Sequence, residues 1–218
     1  MERFFILDRY NTWYDWGLIL TSKSVTPPTP KTNYVTLDGM SGTLDLSEAL
    51  SGEITYEDRT VSATFWTDVG TRKDRERLIR DITSRLHGKK IRIIEPDDPD
   101  HYFIGRVNVT PSINNLAYAE FSLEAICEPW RYAINNSERR IEVDNLIRTK
   151  IVIHNNGVKT LCPTITVDGY ASIVCDQIDT ALTRGVYKIS DIKLRQGVNI
   201  IEVSGLGSVT FTYKEADL

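Results

Sequence analysis

Apolar and polar positions alternate along most of this chain, the two-residue period of strands buried on one face. Val61, Ala63 and Phe65 share one face, with Ser62 and Thr64 on the other. Upstream, Leu44 and Leu46 alternate with Thr43, Asp45 and Ser47, and Ile54 and Tyr56 repeat the pattern. Gly39, Gly42 and Gly52 mark bends between these runs, because glycine accepts positive φ without steric cost. The stretch 34–66 thus reads as a strand, a turn, an extended arm and two more strands, with no catalytic loop.

One segment breaks the period. In residues 71–86, Leu78, Ile79, Ile82 and Leu86 fall on one helical face. Arg72, Lys73, Arg75, Glu76, Arg80 and Asp81 cover the other faces and read as solvated, because basic and acidic residues intermix. Thr71 is the candidate N-cap, and Gly88 stands where a C-terminal cap belongs. Such a helix is expected to cover one face of a sheet.

Around it the strand pattern continues. Asp15-Trp16-Gly17 suggests a turn, and Pro27-Pro28-Thr29-Pro30 an exposed connector, since proline lacks the donor a sheet needs. Strands are expected at 91–93 and 103–109, flanking an acidic loop, and again after a turn at Asn114-Asn115. There Phe121, Leu123, Ala125 and Cys127 alternate with polar residues up to Glu128-Pro129, where a domain boundary is placed. The polar stretch 139–150 is left unassigned. Beyond it, short strands are expected at 151–153, 165–167, 172–175, 186–189, 200–203 and 209–213, with Gly205-Leu206-Gly207 in a hairpin loop. That spacing predicts a small β-sandwich or jelly roll.

Composition narrows the function classes. The chain has 218 residues, 41% hydrophobic and 26% charged, enough for one large domain or two small ones. A net charge of −4 offers no bulk attraction for nucleic acid or anionic membrane. No apolar run approaches the ~20 residues needed to span a bilayer, so no membrane insertion is expected. Phe4-Phe5-Ile6-Leu7 is too short for a signal-peptide core, and the chain is expected to be made in the cytoplasm. Cys127, Cys162 and Cys175 fit neither a disulfide framework nor a zinc spacing and read as packing residues.

Candidate chemistry is sparse. The carboxylates of Glu95, Asp97, Asp98 and Asp100, beside His101, are the best metal candidates, but they lack the spacing of a calcium loop and suit a solvated hairpin. His87, His101 and His154 are scattered. No serine-nucleophile elbow, nucleotide fingerprint or Walker loop is present. Tyr170, Tyr187 and Tyr213 are candidates for a sugar platform, against ordinary strand packing. Trp13, Trp16 and Trp66 are expected as core or interface anchors. The chain is therefore expected to be a binding or structural protein rather than an enzyme, with no catalytic residue, cofactor or metal.

Three groups of residues bear a family resemblance. The first is Leu37-Asp38-Gly39, then Leu44-Asp45-Leu46-Ser47-Glu48-Ala49-Leu50 and Tyr56-Glu57-Asp58-Arg59-Thr60. The second is Glu128-Pro129-Trp130-Arg131-Tyr132, and the third is Ile153-His154-Asn155-Asn156-Gly157 with Pro163-Thr164-Ile165-Thr166-Val167-Asp168-Gly169. In that order they resemble the distal tail proteins of long, flexible-tailed bacteriophages. The resemblance implies a mainly β chain with one helix in two domains. Residues 1–132 would be a β-sandwich or barrel-like ring-forming domain. Residues 133–218 would be a galectin-like or carbohydrate-module-like β-sandwich. It implies a homo-hexameric ring at the virion tail tip that continues the tail tube and anchors the tail-associated hub protein. Receptor-binding proteins would surround it, and DNA would meet it only by passage through the channel. Residues 38–50 would be the interlocking arm and 61–66 a strand of the ring sheet. Met40, Leu44, Leu46 and Leu50 are the candidate oligomer interface, because a glycine-punctuated arm needs a surface to cover. The alternatives are an adhesion module that binds host glycan and a β-sandwich hydrolase.

Overall fold

The computed structural model describes residues 4–115, 117–144, 147–176 and 178–218. Asn145 and Leu146 of the unassigned polar stretch lie outside the described residues. The chain is mostly strand with a single helix, and it separates into two compact units, Met1–Arg131 with Leu218, and Tyr132–Asp217.

The first unit is built on one antiparallel sheet. Its strands are β1 (Ile6–Leu7), β2 (Tyr10–Asn11), β3 (Ile19–Val25), β6 (Arg59–Thr67), β7 (Lys90–Glu95), β8 (Asp98–Asn114) and β9 (Ala119–Cys127). A separate pair, β4 (Tyr34–Val35) and β5 (Leu44–Asp45), stands apart from it. The sheet order is β2-β1-β7-β8-β9-β6-β3. Alternation along β6 and β9 places Val61, Ala63, Phe65, Phe121, Leu123 and Ala125 in one core. Phe65 stacks on Phe121 at 5.7 Å and meets Phe5 edge-on at 5.9 Å.

Helix α1 (Arg72–Leu86) packs on β8 and β9 and adds Ile79, Ile82 and Leu86 to this core. Each such side chain contributes roughly 1.5–3 kcal/mol on burial. Thr71 caps it reciprocally: Thr71 Oγ1 accepts from the Asp74 N–H, and Asp74 Oδ2 accepts from the Thr71 N–H at 2.9 Å. Gly88, at φ +75°, follows the last turn as expected.

Arg75 departs from the sequence reading. It is 2% exposed and donates to the carbonyls of Gly70 and Asn115 at 2.9 and 2.8 Å. A guanidinium tolerates burial when carbonyls receive its N–H groups, so it ties the helix to the β8–β9 turn. Pro28 is likewise buried, although its neighbours Pro27, Thr29 and Pro30 are exposed.

The second unit holds β11 (Ser137–Val143), β12 (Thr149–Asn155), β13 (Thr164–Cys175), β14 (Ile178–Lys188), β15 (Gly197–Tyr213) and β16 (Ala216–Asp217). A short strand, β10 (Arg131–Ala133), precedes them, and the Ala133 N–H donates to the Glu215 carbonyl. Two pairs of expected short strands are each one long strand. β13 runs through Gly169, and β15 runs through Gly205 and Gly207, which are not a hairpin loop.

These glycines mark a close crossing. A Cβ at Gly205 would lie 2.0 Å from the Tyr170 carbonyl oxygen, and one at Gly207 would lie 1.9 Å from that of Asp168. At the same place β15 changes its second partner, from β12 over Gly197–Val203 to β11 over Gly207–Tyr213. Both halves of β15 feed one core: Ile201 and Val203 with Ile151 and Ile173, Val209 and Phe211 with Ile165 and Val167.

Candidate assembly interface

Between β3 and β6 the chain leaves the sheet for a long excursion. Its root is a single bridge, Pro30 to Tyr56. The Lys31 N–H donates to the Thr55 carbonyl and the Glu57 N–H to that of Thr29, each at 2.8 Å. Pro30 fits because this bridge asks nothing of its missing donor. Tyr56 also meets Trp130 edge-on at 5.6 Å, which brings two of the resemblance motifs together at the root. No spacing rule in the sequence signals that aromatic pair.

Beyond the root the arm supports itself with few bonds. β4 and β5 pair over two residues each, Tyr34 with Asp45 and Val35 with Leu44. The Leu46 N–H donates to the Asn33 carbonyl at 2.8 Å, and the Asn33 N–H to Ser47 Oγ at 2.9 Å. Ser47 in turn donates its N–H to Asp45 Oδ1 at 2.9 Å, and the serine's bonds hold the Asp45 carboxyl below its ordinary value. Gly39, Gly42 and Gly52 all have positive φ, and a Cβ on any of them would meet nothing within 4 Å. They serve backbone direction alone.

The candidate interface residues lie mostly in the open. Met40 is 45% exposed, Leu44 39% and Leu50 103%, while Leu46 is half-buried. The expected half-buried strand over Leu44 and Leu46 is only two residues long, Leu44–Asp45, and Leu44 faces out. Tyr34, Leu37 and Ile54 are exposed as well. The segment 31–57 carries five carboxylates and one lysine. A surface that receives this arm would therefore be apolar with a basic surround.

Arg59, the first residue of β6, is buried with its guanidinium over the Phe103 ring at 5.3 Å. Burial, aided by nearby Arg131, pushes its pKa below the ordinary value. Its Nε and Nη2 have no hydrogen-bond partner among the described residues.

The other sequence candidates fall elsewhere. The acidic loop is the β7–β8 hairpin: Glu95 and Asp97 pair with Lys23, and Asp98 pairs with Arg131 and lies 2.7 Å from His101 Nδ1. Burial pulls the Lys23 ammonium down, but the two carboxylates outweigh it and hold it above its ordinary value. Among the described residues no His, Cys, Asp and Glu cluster could hold a metal ion. His87 Nδ1 accepts from the Val109 N–H, and His154 stands on β12. Trp16 is buried and stacks on Tyr10, Trp66 meets Tyr118 edge-on, and Trp13 is half-buried. Tyr170 is exposed, whereas Tyr187 and Tyr213 pack on the second core. Burial pushes the Cys127 thiol up to about 12, which makes it a poor nucleophile. No helix among the described residues is long and apolar enough to cross a membrane.

Asn155 carries the third resemblance motif. It is fully buried, donates to the carbonyls of Lys159 and Leu194, and accepts from the Gly157 N–H. A Cβ at Gly157 would lie 2.6 Å from the Ala216 oxygen, so the motif seats β16.

No family model and no curated protein matches the chain. Among solved structures, it is similar to the SPP1 Dit (gp 19.1) protein, described as a paradigm of hub adsorption apparatus in Gram-positive infecting phages. The TM-score is 0.73 at 14% identity, and 99% of each chain is covered. At that identity the likeness is one of fold.

Proposed function

We propose that the chain is a distal tail protein of a long, flexible-tailed phage, a structural component of the tail-tip hub. The observation that carries this is the likeness in fold to SPP1 Dit over 99% of both chains. Six copies close into a ring that continues the tail tube. The ring anchors the tail-associated hub protein, receptor-binding proteins gather round it, and DNA only passes through. Residues 1–132 build the ring and residues 133–218 face outward. The protein resides at the virion tail tip and catalyses no reaction.

The arm supplies the seams. A closed ring needs heterologous contacts, in which each copy offers one surface and accepts another. Covering Met40, Leu44, Leu46 and Leu50 contributes roughly 1.5–3 kcal/mol per side chain before ordering costs.

Light scattering after size exclusion tests the reading. Wild type is expected at the mass of six chains, and the double variant Leu44→Ser/Leu46→Ser at a lower mass with unchanged circular dichroism. An unchanged ring mass removes the arm from the seam. Lost secondary structure assigns the two leucines to the subunit's own fold. Wild type that stays monomeric at high concentration, with no ring visible by negative-stain microscopy, counts against the hub.

A further inference from the structure

The second unit has a groove of about 460 Å³ that the hub reading leaves unused. Lys159, Lys188 and Lys214 line it, together with Thr160, Thr212 and Tyr213. Among the described residues that line it there is no acid and no arginine. On a chain of net charge −4, three lysines lining one groove gather positive charge at one place.

Two of the ammoniums are held in place. Lys159 Nζ donates to Tyr132 Oη at 2.9 Å and lies 4.8 Å from the centre of that ring. Lys214 Nζ donates to the carbonyls of Ala133 and Ile134 at 3.1 and 2.8 Å. Lysine side chains already fixed beside the groove lose less freedom when a ligand arrives. Lys188, exposed near the end of β14, supplies the third charge.

We propose that this groove binds a phosphate ester. A phosphate monoester carries roughly −1.5 to −2 charges, against one on a carboxylate, and so gains more from several lysines at one site. Compact ammoniums act as point charges and suit a tetrahedral oxyanion. The volume is within the ~300–1,000 Å³ usual for small-molecule sites and exceeds what a bare phosphate fills. The remainder, with threonine hydroxyls and the Leu161 side chain, takes the organic part of the ester. This inference does not rest on ring assembly.

Isothermal titration of the full chain at low ionic strength tests it, with sn-glycerol 3-phosphate, inorganic phosphate, glycerol, acetate and hexaglutamate as probes. Glycerol 3-phosphate is expected to bind once per chain, more tightly than inorganic phosphate and more weakly as salt rises. Glycerol and acetate are expected to give no binding heat. Lys188→Gln is expected to weaken glycerol 3-phosphate about tenfold, the loss of one charge-assisted contact. Lys150→Gln, an exposed lysine outside the groove, is expected to change nothing. No binding of glycerol 3-phosphate overturns the proposal, and so does an equal loss in both variants. Hexaglutamate binding as tightly would assign the groove to an acidic protein segment instead.

Discussion

The arm and strand β6 adjoin in the sequence, and both are well supplied with apolar residues. Yet none of the arm's apolar side chains enters the core that Val61, Ala63 and Phe65 share. β6 is nine residues long and hydrogen-bonded along both edges, to β3 and to β9. The arm pairs only two residues with two, and glycines turn it at positions 39, 42 and 52. Apolar content therefore does not decide burial. What decides it is an uninterrupted run whose backbone groups find partners on both sides, so that the register keeps one face inward. Where the run is broken, the apolar residues stay outside, open to another surface.

The comparison is broken most directly at Phe65. Phe65→Ala is expected to cost about 3–5 kcal/mol in urea unfolding, as large aromatic truncations in a core do. A loss below about 1 kcal/mol would mean that β6 is not central to its core. Leu50→Ala, by contrast, is expected to stay within about 0.5 kcal/mol in the dissociated chain, the range of ordinary surface changes. A cost as large as that of Phe65→Ala would put the arm inside the fold after all.

Limited proteolysis sharpens the same contrast. Chymotrypsin is expected to cut first after Leu37, Met40, Leu44 or Leu50, while Phe65 and Leu123 stay protected. Assembly is expected to slow those first cuts. First cuts elsewhere, read by mass spectrometry, would erase the distinction between arm and sheet.

The smallest expected effect is in titration. Asp45 in the arm and Asp74 at the helix start both have pKa values below the ordinary carboxyl value, held there by Ser47 and Thr71 respectively. A carboxyl depressed in the folded state contributes stability that is present above its unfolded pKa. That stability is lost as pH falls through the folded value. Side-chain carboxyl shifts followed by NMR are expected to show both groups titrating below the unfolded reference near 3.9. Asp45 at its ordinary value would mean that the Ser47 turn does not persist in solution.

Much of the fold was legible because its signals are local. The alternation along β6 and β9 and the helix period with its Thr71 cap need only neighbouring residues. Three readings failed because the deciding partner is far away in the chain. Arg75 looked solvated until the Asn115 carbonyl, forty residues on, received its guanidinium. Gly205 and Gly207 looked like a turn, but their lack of a side chain is needed by the passing backbone of β13. Leu44 and Leu46 had the period of a half-buried strand, but pairing with the distant Tyr34–Val35 stops at Asp45 and Leu44 stays exposed. Of the candidate surface, the exposed apolar arm could be anticipated from its glycines. The groove could not, since Lys159, Lys188 and Lys214 stand on separate segments and meet only through the sheet.

The root of the arm has one further consequence. The excursion begins and ends at neighbouring points, the Pro30–Tyr56 bridge, so the sheet needs only that closure. Closing a flexible loop costs little more when the loop grows, about 0.6 kcal/mol for each doubling of its length. Related chains can therefore lengthen, shorten or rewrite this segment while β3 and β6 keep their register. Selection can then tune how far one copy reaches without remaking the body that holds it.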